Sequence, residues 1–508
     1  MHRLVSYFIM RKLRSWKLSP IYHQKLVFRR MVKKLEKTKF GKDHSIHKNM
    51  TIAEFQSKVP LYEYEDYSKY IELLKTDAKD VLWKGKMDYF GISSGTTSGE
   101  KLIPLYATAI NSIVVTSFNL GYAFMDFTKA YNIFKKKIFH LYGLGVVKKI
   151  NNIKYGYIGH LANSKVPAFL VRSKYSTDAM KNAKSWKEKI EHIAGDIINQ
   201  DLSVISGTPP WMNNVLEAFV QKHHKSFSSQ FPNLQLYIHG GCSFNNYRSE
   251  FFRLLGDNHR IWTQEVYPAT EGYIAFQDHW DLSNKTKPLD MLLNVGENIF
   301  FEFLLYENDT YDRNKRLTVA ELEVDKVYIL VLSTIGCFIS YIIGDTIEVT
   351  SLRPLRIKFA GRIKQNVNLV NEHMDFRTIS LIFEDIKKTL SFAINDFVLL
   401  PRVENGHAFY HWVLEVEQDF NLTVEVQKNT IEVINQASMN RNPFYKSWFT
   451  GGVLKKEQVL FVHKNALLDY LKSEHSVGQN KVPHVVLAPG IQKKILDFME
   501  MKSYSIKV

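Results

Sequence analysis

The chain has 508 residues, of which 45% are hydrophobic and 23% charged, a composition that excludes a disordered chain. The formal net charge is +16, but residues 1–49 alone contain 14 Lys and Arg against 2 Asp and Glu. The remainder is nearly balanced, so the basicity is a local feature and not a chain-wide nucleic-acid signature. Cys242 and Cys337 are too few for a disulfide framework and indicate a reducing compartment, the cytoplasm.

The basic N-terminal segment is predicted to be helical. Leu26, Val27, Met31 and Leu35 recur at helical spacing, which predicts an inward apolar face with the cations in solvent. A basic arm could instead bind nucleic acid or an anionic membrane. The apolar face favours a structural role, so we expect no nucleic-acid partner and no stable membrane insertion.

The following elements indicate an α/β fold. Residues 91–99 form a Gly/Ser/Thr-rich loop and 108–130 a long apolar helix; between about 200 and 350, short apolar runs alternate with helical patterns, which is typical of βαβ units. The 18 residues from Val327 to Gly344 carry no charge and reach the length of a transmembrane helix. Their Val, Ile and Tyr content and Gly336 favour two buried strands joined by a turn.

The pattern changes after Asp345. Two strand-like runs flank the turn ENGH at 404–407, and helical patterns cover 428–438 and 465–474, which predicts a smaller α+β domain. We therefore predict two domains, residues 1–362 and residues 363–508, with the joint near Gly361.

The strongest motif is SSGTTSGEK, from Ser93 to Lys101. Glycines permit tight turns, and consecutive N–H groups can form a concave site for phosphate oxygens. Lys101 supplies a positive charge suited to a polyphosphate. The spacing is not that of a Walker A loop, and the alternative is an ordinary polar loop. We predict that the motif binds nucleotide phosphates through Ser93, Ser94, Gly95, Thr96, Thr97, Ser98, Gly99 and Lys101.

The motif SSGTTSGEKLIP resembles the phosphate loop of the plant auxin- and jasmonate-conjugating acyl-acid amido synthetases and their bacterial relatives, the auxin-responsive promoter family. Further segments resemble the bacterial branch: KTKFGKDHSI, FQSKVPLYEYEDYSKYI, SGTPPWM, HGGCSFNNYR and VGQNKVP. That family belongs to the acyl-adenylate-forming superfamily, with the acyl-CoA synthetases and firefly luciferase. The resemblance implies an α/β fold, with a large N-terminal adenylate-forming domain and a smaller mobile C-terminal α+β domain.

The resemblance also implies roles for residues beyond the loop. Tyr267 would lie near adenine, while Thr270 and Glu271 would meet the phosphate and Mg²⁺, for which a carboxylate is a suitable ligand. Asp345 would accept hydrogen bonds from both ribose hydroxyls. Arg362 matches the arginine of the interdomain hinge, which reaches the nucleotide.

Two glycines and one lysine complete the predicted site. Gly240 and Gly241 follow a strand-like run, which fits a close backbone approach to the nucleotide. Lys481 is the candidate for the mobile-domain lysine that meets the carboxylate and the α-phosphate. Lys364, just beyond the hinge, is the next lysine to consider.

The chain departs from the family pattern at several positions. Many relatives carry Arg beside Tyr341, where this chain has Ser340 and Ile342. Either that arginine is dispensable, or charge stabilisation at the site is weakened. The roles of Asn368 and Glu372 are carried over only weakly, because the residues around them also differ from the family pattern.

The sequence therefore predicts an ATP- and Mg²⁺-dependent ligase that forms acyl-AMP from a carboxylic acid and transfers the acyl group to an amine, expected to be an amino acid. Lys481, Lys101 and Glu271 are the predicted catalytic residues, with Glu271 as the Mg²⁺ ligand. One alternative is an acyl-CoA synthetase with the same first step. Another is a non-catalytic relative that docks on a membrane or nucleic acid through its basic arm.

Overall fold

The computed structural model describes residues 2–95, 99–142, 147–166, 173–184, 186–241, 244–256, 261–308, 310–363, 367, 369, 372, 374, 376–404, 407–417, 420–450, 454–474 and 482–506. Its α-helices are α1 (His2–Leu18), α2 (Pro20–Leu35), α3 (Lys39–Asp43), α4 (Ile52–Lys58), α5 (Ser68–Lys75), α6 (Ala107–Thr128), α7 (Ile158–Asn163), α8 (Asp178–Asn182), α9 (Trp186–Asp196), α10 (Pro209–His223), α11 (Phe227–Gln230), α12 (Arg248–Leu255), α13 (Phe376–Thr389), α14 (Val424–Arg441), α15 (Pro443–Thr450), α16 (Ala466–Glu474) and α17 (Pro489–Met501).

The strands are β1 (Tyr89–Gly95), β2 (Gly99–Leu105), β3 (Lys137–His140), β4 (Lys148–Ile150), β5 (Ile153–Gly156), β6 (Lys174–Tyr175), β7 (Leu202–Ser206), β8 (Leu236–Gly240), β9 (Trp262–Ala269), β10 (Gly272–Phe276), β11 (Met291–Leu293), β12 (Ile299–Leu305), β13 (Val327–Thr334), β14 (Tyr341–Leu352), β15 (Leu355–Arg362), β16 (Ile394–Glu404), β17 (His407–Val416), β18 (Gln458–His463) and β19 (Ser505–Ile506). Together with the helices, they give the mixed α/β architecture that the sequence predicts.

The N-terminal helices are part of the core. Val27, Met31 and Leu35 on α2 are fully buried, as predicted, whereas Leu26 is only half-buried. The Gln24 side chain fixes α2 to β12: its Nε2 donates to Ile299 O at 2.9 Å, and its Oε1 accepts from the Phe301 N–H at 2.8 Å. Buried amide groups of this kind need such partners, so the basic segment has the predicted structural role.

The largest sheet has the order β12-β13-β14-β15-β11-β10-β9-β8-β7-β3-β6. The strands from β9 to β6 pair in parallel, and α10 and α12 connect β7 to β8 and β8 to β9. This is the βαβ alternation that the sequence predicts. In such sheets, ligands bind in the crevice outside the carboxyl ends of the parallel strands.

A smaller sheet, β2-β1-β5-β4, carries the predicted phosphate motif. Strands β1 and β2 form a hairpin in which Gly95 lies opposite Gly99. The Tyr64 hydroxyl accepts from the Leu102 N–H at 2.8 Å, which fixes the base of the hairpin to the aromatic-rich N-terminal segment.

The uncharged segment from Val327 to Gly344 contains β13 and the start of β14, which pair antiparallel and are buried, so the prediction of two strands is confirmed. None of the described helices combines the length and the apolar character that crossing a bilayer requires.

The third sheet, β16-β17-β18-β19, follows the large sheet in the chain and begins with the predicted hairpin. Its buried residues include Phe397, Trp412 and Phe461, which pack with residues of α13 and α14. Two polar contacts connect this part to α12 and the residue before it: the Tyr247 hydroxyl donates to Asp396 Oδ2 at 2.5 Å, and Lys464 Nζ lies 2.9 Å from Glu250 Oε1.

Candidate active site

Thr270 and Glu271 form the two-residue turn between β9 and β10, because Ala269 pairs with Gly272 in the antiparallel ladder. The turn buries the Glu271 side chain. Burial raises the pKa of the Glu271 carboxyl above its ordinary value, and the nearby Asp345 raises it further, while Arg362 and Lys101 lower it. Glu271 is therefore a buried carboxyl group with both negative and positive side chains nearby.

Asp345 and Arg362 lie directly opposite each other on β14 and β15. Their side chains form a cross-strand ion pair, with 2.7 Å between Arg362 Nε and Asp345 Oδ1. The Tyr267 hydroxyl, from β9, donates to Asp345 Oδ2. The Arg362 side chain is 42% exposed, whereas that of Asp345 is 3% exposed. The carboxylate is therefore buried, while the guanidinium keeps an accessible face.

The hairpin of β1 and β2, which carries the predicted phosphate motif and is named the phosphate hairpin, packs onto the Thr270–Glu271 turn. A Cβ atom on Gly91 would lie 2.5 Å from Thr270 Cγ2, so this contact requires glycine. Lys101 lies opposite Ser93 across the hairpin, and its Nζ is 5.0 Å from the centroid of the Tyr64 ring. The hairpin thereby brings the Lys101 charge close enough to Glu271 to lower the pKa of that carboxyl.

Gly240 ends β8 beside β9, and a Cβ atom there would lie 2.3 Å from the carbonyl oxygen of Val266. Gly241 follows with φ of +90°, a conformation that favours glycine. The two glycines thus allow β8 to approach β9 immediately before Tyr267, a packing reason that the sequence pattern does not reveal.

The structure brings five predicted residues into one cluster: Lys101, Tyr267, Glu271, Asp345 and Arg362. Thr96, Thr97, Ser98, Lys364 and Lys481 lie outside the described residues, and Ser94, Gly95 and Gly99 are placed only by their backbone. Glu372 lies elsewhere, in the core of the C-terminal part, where Tyr410 donates to its carboxylate.

A different arginine occupies the place beside Ser340. Arg316 donates to the Ser340 hydroxyl at 2.8 Å and forms a buried ion pair with Glu302 at 2.7 Å. Arg362 supplies the positive charge that pairs with the Asp345 carboxylate. Sequence reasoning did not identify Arg316, since it stands in a different segment from Ser340 and no motif marks it.

Comparison with known proteins gives two family matches: the GH3 family N-terminal domain over residues 9–176 and the GH3 family central domain over residues 292–362. No curated protein matches the chain in sequence. The two family-domain matches include the phosphate hairpin and the β14–β15 ion pair, but not the Thr270–Glu271 turn.

Solved structures share the fold at low identity. The AtGH3.15 acyl acid amido synthetase in complex with 2,4-DB is 12% identical with a TM-score of 0.78, and the alignment covers 99% of this chain and 96% of that chain. A second GH3.15 acyl acid amido synthetase structure is 13% identical with a TM-score of 0.78, covering 98% and 96%. A 2-hydroxyisobutyryl-CoA ligase in the postadenylation state is 9% identical with a TM-score of 0.58, covering 94% and 91%. The chain therefore has the fold of these solved structures, and residues 9–176 and 292–362 are similar to the N-terminal and central domains of the GH3 family.

Proposed function

We propose that this chain is an ATP-dependent acyl acid amido synthetase, which activates a carboxylic acid as acyl-AMP and transfers the acyl group to the amine of an amino acid. The observation that carries the proposal is the cluster of Tyr267, Glu271, Asp345 and Arg362 beside the phosphate hairpin. The solved acyl acid amido synthetases with this fold support the reaction class.

In the proposed complex, Asp345 accepts hydrogen bonds from the ribose hydroxyls. Its carboxylate already accepts from Tyr267 and pairs with Arg362, but Oδ1 has no hydrogen bond of good geometry among the described residues. A carboxylate has about four acceptor positions, so capacity for a diol remains. Tyr267 lies near the adenine, and residues 93–101 and the accessible face of Arg362 contact the phosphates.

The residues fit a phosphate-bound Mg²⁺ and not a protein-only metal site. Within the described ranges, no three His, Cys, Asp or Glu side chains come together as a metal centre. Glu271 offers a buried carboxylate with a raised pKa beside Lys101, and Mg²⁺ typically combines one or two carboxylates with substrate phosphates. When bound, the ion would neutralise phosphate charge beside Glu271.

The first half-reaction requires positioning and charge neutralisation. The substrate carboxylate oxygen forms a bond to the α-phosphorus while the bond from that phosphorus to the bridging oxygen of pyrophosphate breaks. Two anions must approach each other, so Lys101 and the proposed Lys481 lower the barrier by placing positive charge between them. Glu271 would hold the Mg²⁺ that neutralises phosphate charge.

In the second half-reaction, the amine attacks the acyl carbonyl, and the bond from carbonyl carbon to AMP oxygen breaks. We place the division of the chain at 362/363, directly after Arg362, so that residues 363–508 act as a lid that turns between the half-reactions. Turning this lid would break the Tyr247–Asp396 and Lys464–Glu250 contacts, which hold its present orientation. The buried free thiol of Cys337 fits a cytoplasmic enzyme.

The test is incubation of the purified chain with MgATP, pooled carboxylic acids and pooled amino acids, followed by mass spectrometry. Acyl-amino acid amides that need all three components would support the proposal. A matched Asp345→Asn variant should form far less product, whereas Asp385→Asn, which breaks an exposed ion pair with Arg441, should match the parent.

The same assay with coenzyme A separates the acyl-CoA synthetase alternative. Thioester without amide would replace the amido synthetase assignment. If no acid yields acyl-AMP while the chain binds vesicles or nucleic acid through α1 and α2, the non-catalytic alternative would be correct.

A further inference from the structure

Helix α1 has an inward apolar face that fixes it to the body of the molecule. Leu13 and Trp16 are buried in the same core as residues of α6 and the large sheet. Trp16 packs closely over the loop after β11, where a Cβ atom on Gly296 would lie 2.0 Å from the indole Nε1. Lys17 Nζ lies 2.5 Å from Asp278 Oδ2 beside this face. The position of α1 is therefore set by packing and by an ion pair.

The opposite side of α1 carries a second set of large apolar side chains. Leu4, Tyr7, Phe8 and Leu18 are between 58% and 64% exposed. Positions three, four and seven apart lie on one face of a helix. A helix that is anchored through one apolar face usually presents polar residues to solvent, so a second apolar face indicates a partner. The outward stripe is formed by Leu4, Tyr7, Phe8, Arg11, Ser15 and Leu18.

The surroundings of the outward stripe are strongly basic. Helices α1 and α2 contain five Lys and Arg residues each and no Asp or Glu. Arg3, Arg11 and Arg14 are exposed on α1. Ser15 Oγ lies 2.8 Å from His23 Nε2, which places the start of α2 beside the stripe. Positive charge and exposed apolar area thus occupy the same part of the surface.

This combination matches an anionic lipid surface better than any other partner. Amphipathic helices that lie in a membrane interface place apolar side chains at the acyl boundary and cations at the headgroups. A second copy of the chain would bring two basic surfaces together, which repel each other. A nucleic acid would bind the cations through its phosphates but leave the apolar side chains in water.

We propose that the outward stripe of α1, together with the exposed cations of α1 and α2, is a docking surface through which the chain binds reversibly to an anionic membrane. Helix α1 lies in the plane of the interface, with Leu4, Phe8 and Leu18 at the acyl boundary and the arginines at the lipid phosphates. Such peripheral binding differs from insertion across the bilayer, which needs a longer apolar helix. The inference goes beyond the proposed ligase reaction and does not depend on it.

The test is sedimentation of the full chain with vesicles of two compositions, pure phosphatidylcholine and equal amounts of phosphatidylcholine and phosphatidylglycerol. The parent should bind the anionic vesicles at least about tenfold more tightly than the neutral ones. Raising the salt concentration should weaken the binding, because the Debye length is only about 10 Å at 0.1 M salt and falls further above it.

Leu4→Gln combined with Phe8→Gln removes apolar anchors but keeps the charge and the inward face. This variant should bind anionic vesicles at least about tenfold more weakly than the parent, because two apolar side chains no longer leave water. Leu282→Gln is the matched control, since Leu282 is 78% exposed outside α1, and it should bind as the parent does. Leu18→Gln is the second variant if the double substitution fails to fold.

Arg11→Gln combined with Arg14→Gln tests the charge separately. Each cation near an anionic membrane contributes a factor of about five, so this variant should bind about ten- to thirtyfold more weakly. Lys428→Gln combined with Lys493→Gln removes the same charge from exposed positions on α14 and α17, and should leave the affinity unchanged.

Three results would overturn the docking surface. The first is a parent chain that binds no anionic vesicles, or binds them as tightly after the Leu4 and Phe8 substitutions. The second is a dimer in light scattering that these two substitutions dissociate, which would assign the stripe to an interface between copies. The third is binding to duplex DNA, without binding to vesicles, that requires Arg11 and Arg14 but not the apolar residues.

Amide formation in vesicle-free solution distinguishes failure of this surface from failure of the proposed function. The Leu4 and Phe8 substitutions should leave that activity unchanged, since neither residue belongs to the candidate active site. A chain that makes amides but binds no vesicles would refute the docking surface alone. A chain that binds vesicles through the stripe but forms no acyl-AMP would refute the synthetase assignment alone.

Discussion

Replacing Asp345 tests the proposed nucleotide site at a residue that side chains from two other strands, β9 and β15, hold in place. Tyr267 donates to one carboxylate oxygen, and Arg362 lies 2.7 Å from the other. Asp345→Asn keeps the shape and an acceptor for Tyr267 but removes the charge. It is therefore expected to weaken ribose recognition with less loss of stability than Asp345→Ala, which leaves the buried tyrosine hydroxyl without its partner.

The size of the effect follows from the hydrogen bonds. A hydrogen bond to a charged acceptor contributes about 1.5–3 kcal/mol, and about 1.4 kcal/mol corresponds to a tenfold change in affinity. Asp345→Ala should therefore raise the Kd for ATP roughly ten- to hundred-fold. One effect opposes this loss: without Asp345, no carboxylate offsets the positive charge of Arg362, which then attracts the triphosphate more strongly.

Calorimetric titration with ATP and with 2′,3′-dideoxy-ATP separates the two effects. The parent chain should bind dideoxy-ATP more weakly than ATP, whereas Asp345→Ala should bind both alike, because the diol has lost its acceptor. Any gain in affinity from Arg362 applies to both nucleotides. It therefore cancels when the ratio of the two affinities is compared between the parent and the variant. Tyr267→Phe removes only the hydroxyl that orients the carboxylate, and should weaken ATP binding about two- to tenfold.

The result that would refute the reasoning is a folded Asp345→Ala chain that still prefers ATP over the dideoxy nucleotide by the parent ratio. Asp385→Asn is the matched control, since it breaks an Asp–Arg pair on the surface and should leave both affinities unchanged. A change in that control would show that the assay reports general stability.

Mg²⁺-dependent ATP binding should weaken as the pH falls through the raised pKa of Glu271, because the protonated carboxyl no longer binds the cation; calorimetry on Glu271→Gln should show weak binding without this pH dependence. Met31→Ala should lower the free energy of unfolding by about 2–5 kcal/mol, since its side chain is fully buried; a denaturation midpoint equal to the parent's would contradict the structural role of α2. Combined Thr96→Ala and Thr97→Ala substitutions should raise the Kd for ATP, and unchanged calorimetric affinity would remove these hydroxyls from the site. Lys481→Ala should slow pyrophosphate exchange by about two to three orders of magnitude while aminolysis of supplied acyl-AMP continues; equal losses in both steps would exclude a role confined to adenylation.

Local patterns in the sequence determined the elements. Apolar residues at helical spacing predicted α2 and the long α6, and the uncharged Val327–Gly344 run with its glycine predicted two strands. These predictions succeed because side-chain periodicity reflects which face of a helix or strand is buried. Leu26 is only half-buried, so the inward face of α2 is narrower than the apolar spacing predicted.

The motifs also determined which residue types could serve a nucleotide, but not how they meet. Asp345 and Arg362 are neighbours because β14 and β15 pair in one register, and a shift by one residue would separate them. Tyr267 reaches the same carboxylate from β9. Strand register is a property of the whole sheet, so no single segment contains it.

Only the tertiary structure revealed Arg316 beside Ser340 and the outward stripe of α1. Apolar residues occur on both sides of α1, so the sequence pattern does not decide which of them the chain covers. Trp16 is buried because α6 and the large sheet pack on its side of the helix, whereas Leu4 and Phe8 are exposed. Burial depends on contacts between segments far apart in the chain, and it therefore separates an apolar face that stabilises the fold from one that remains available to a partner.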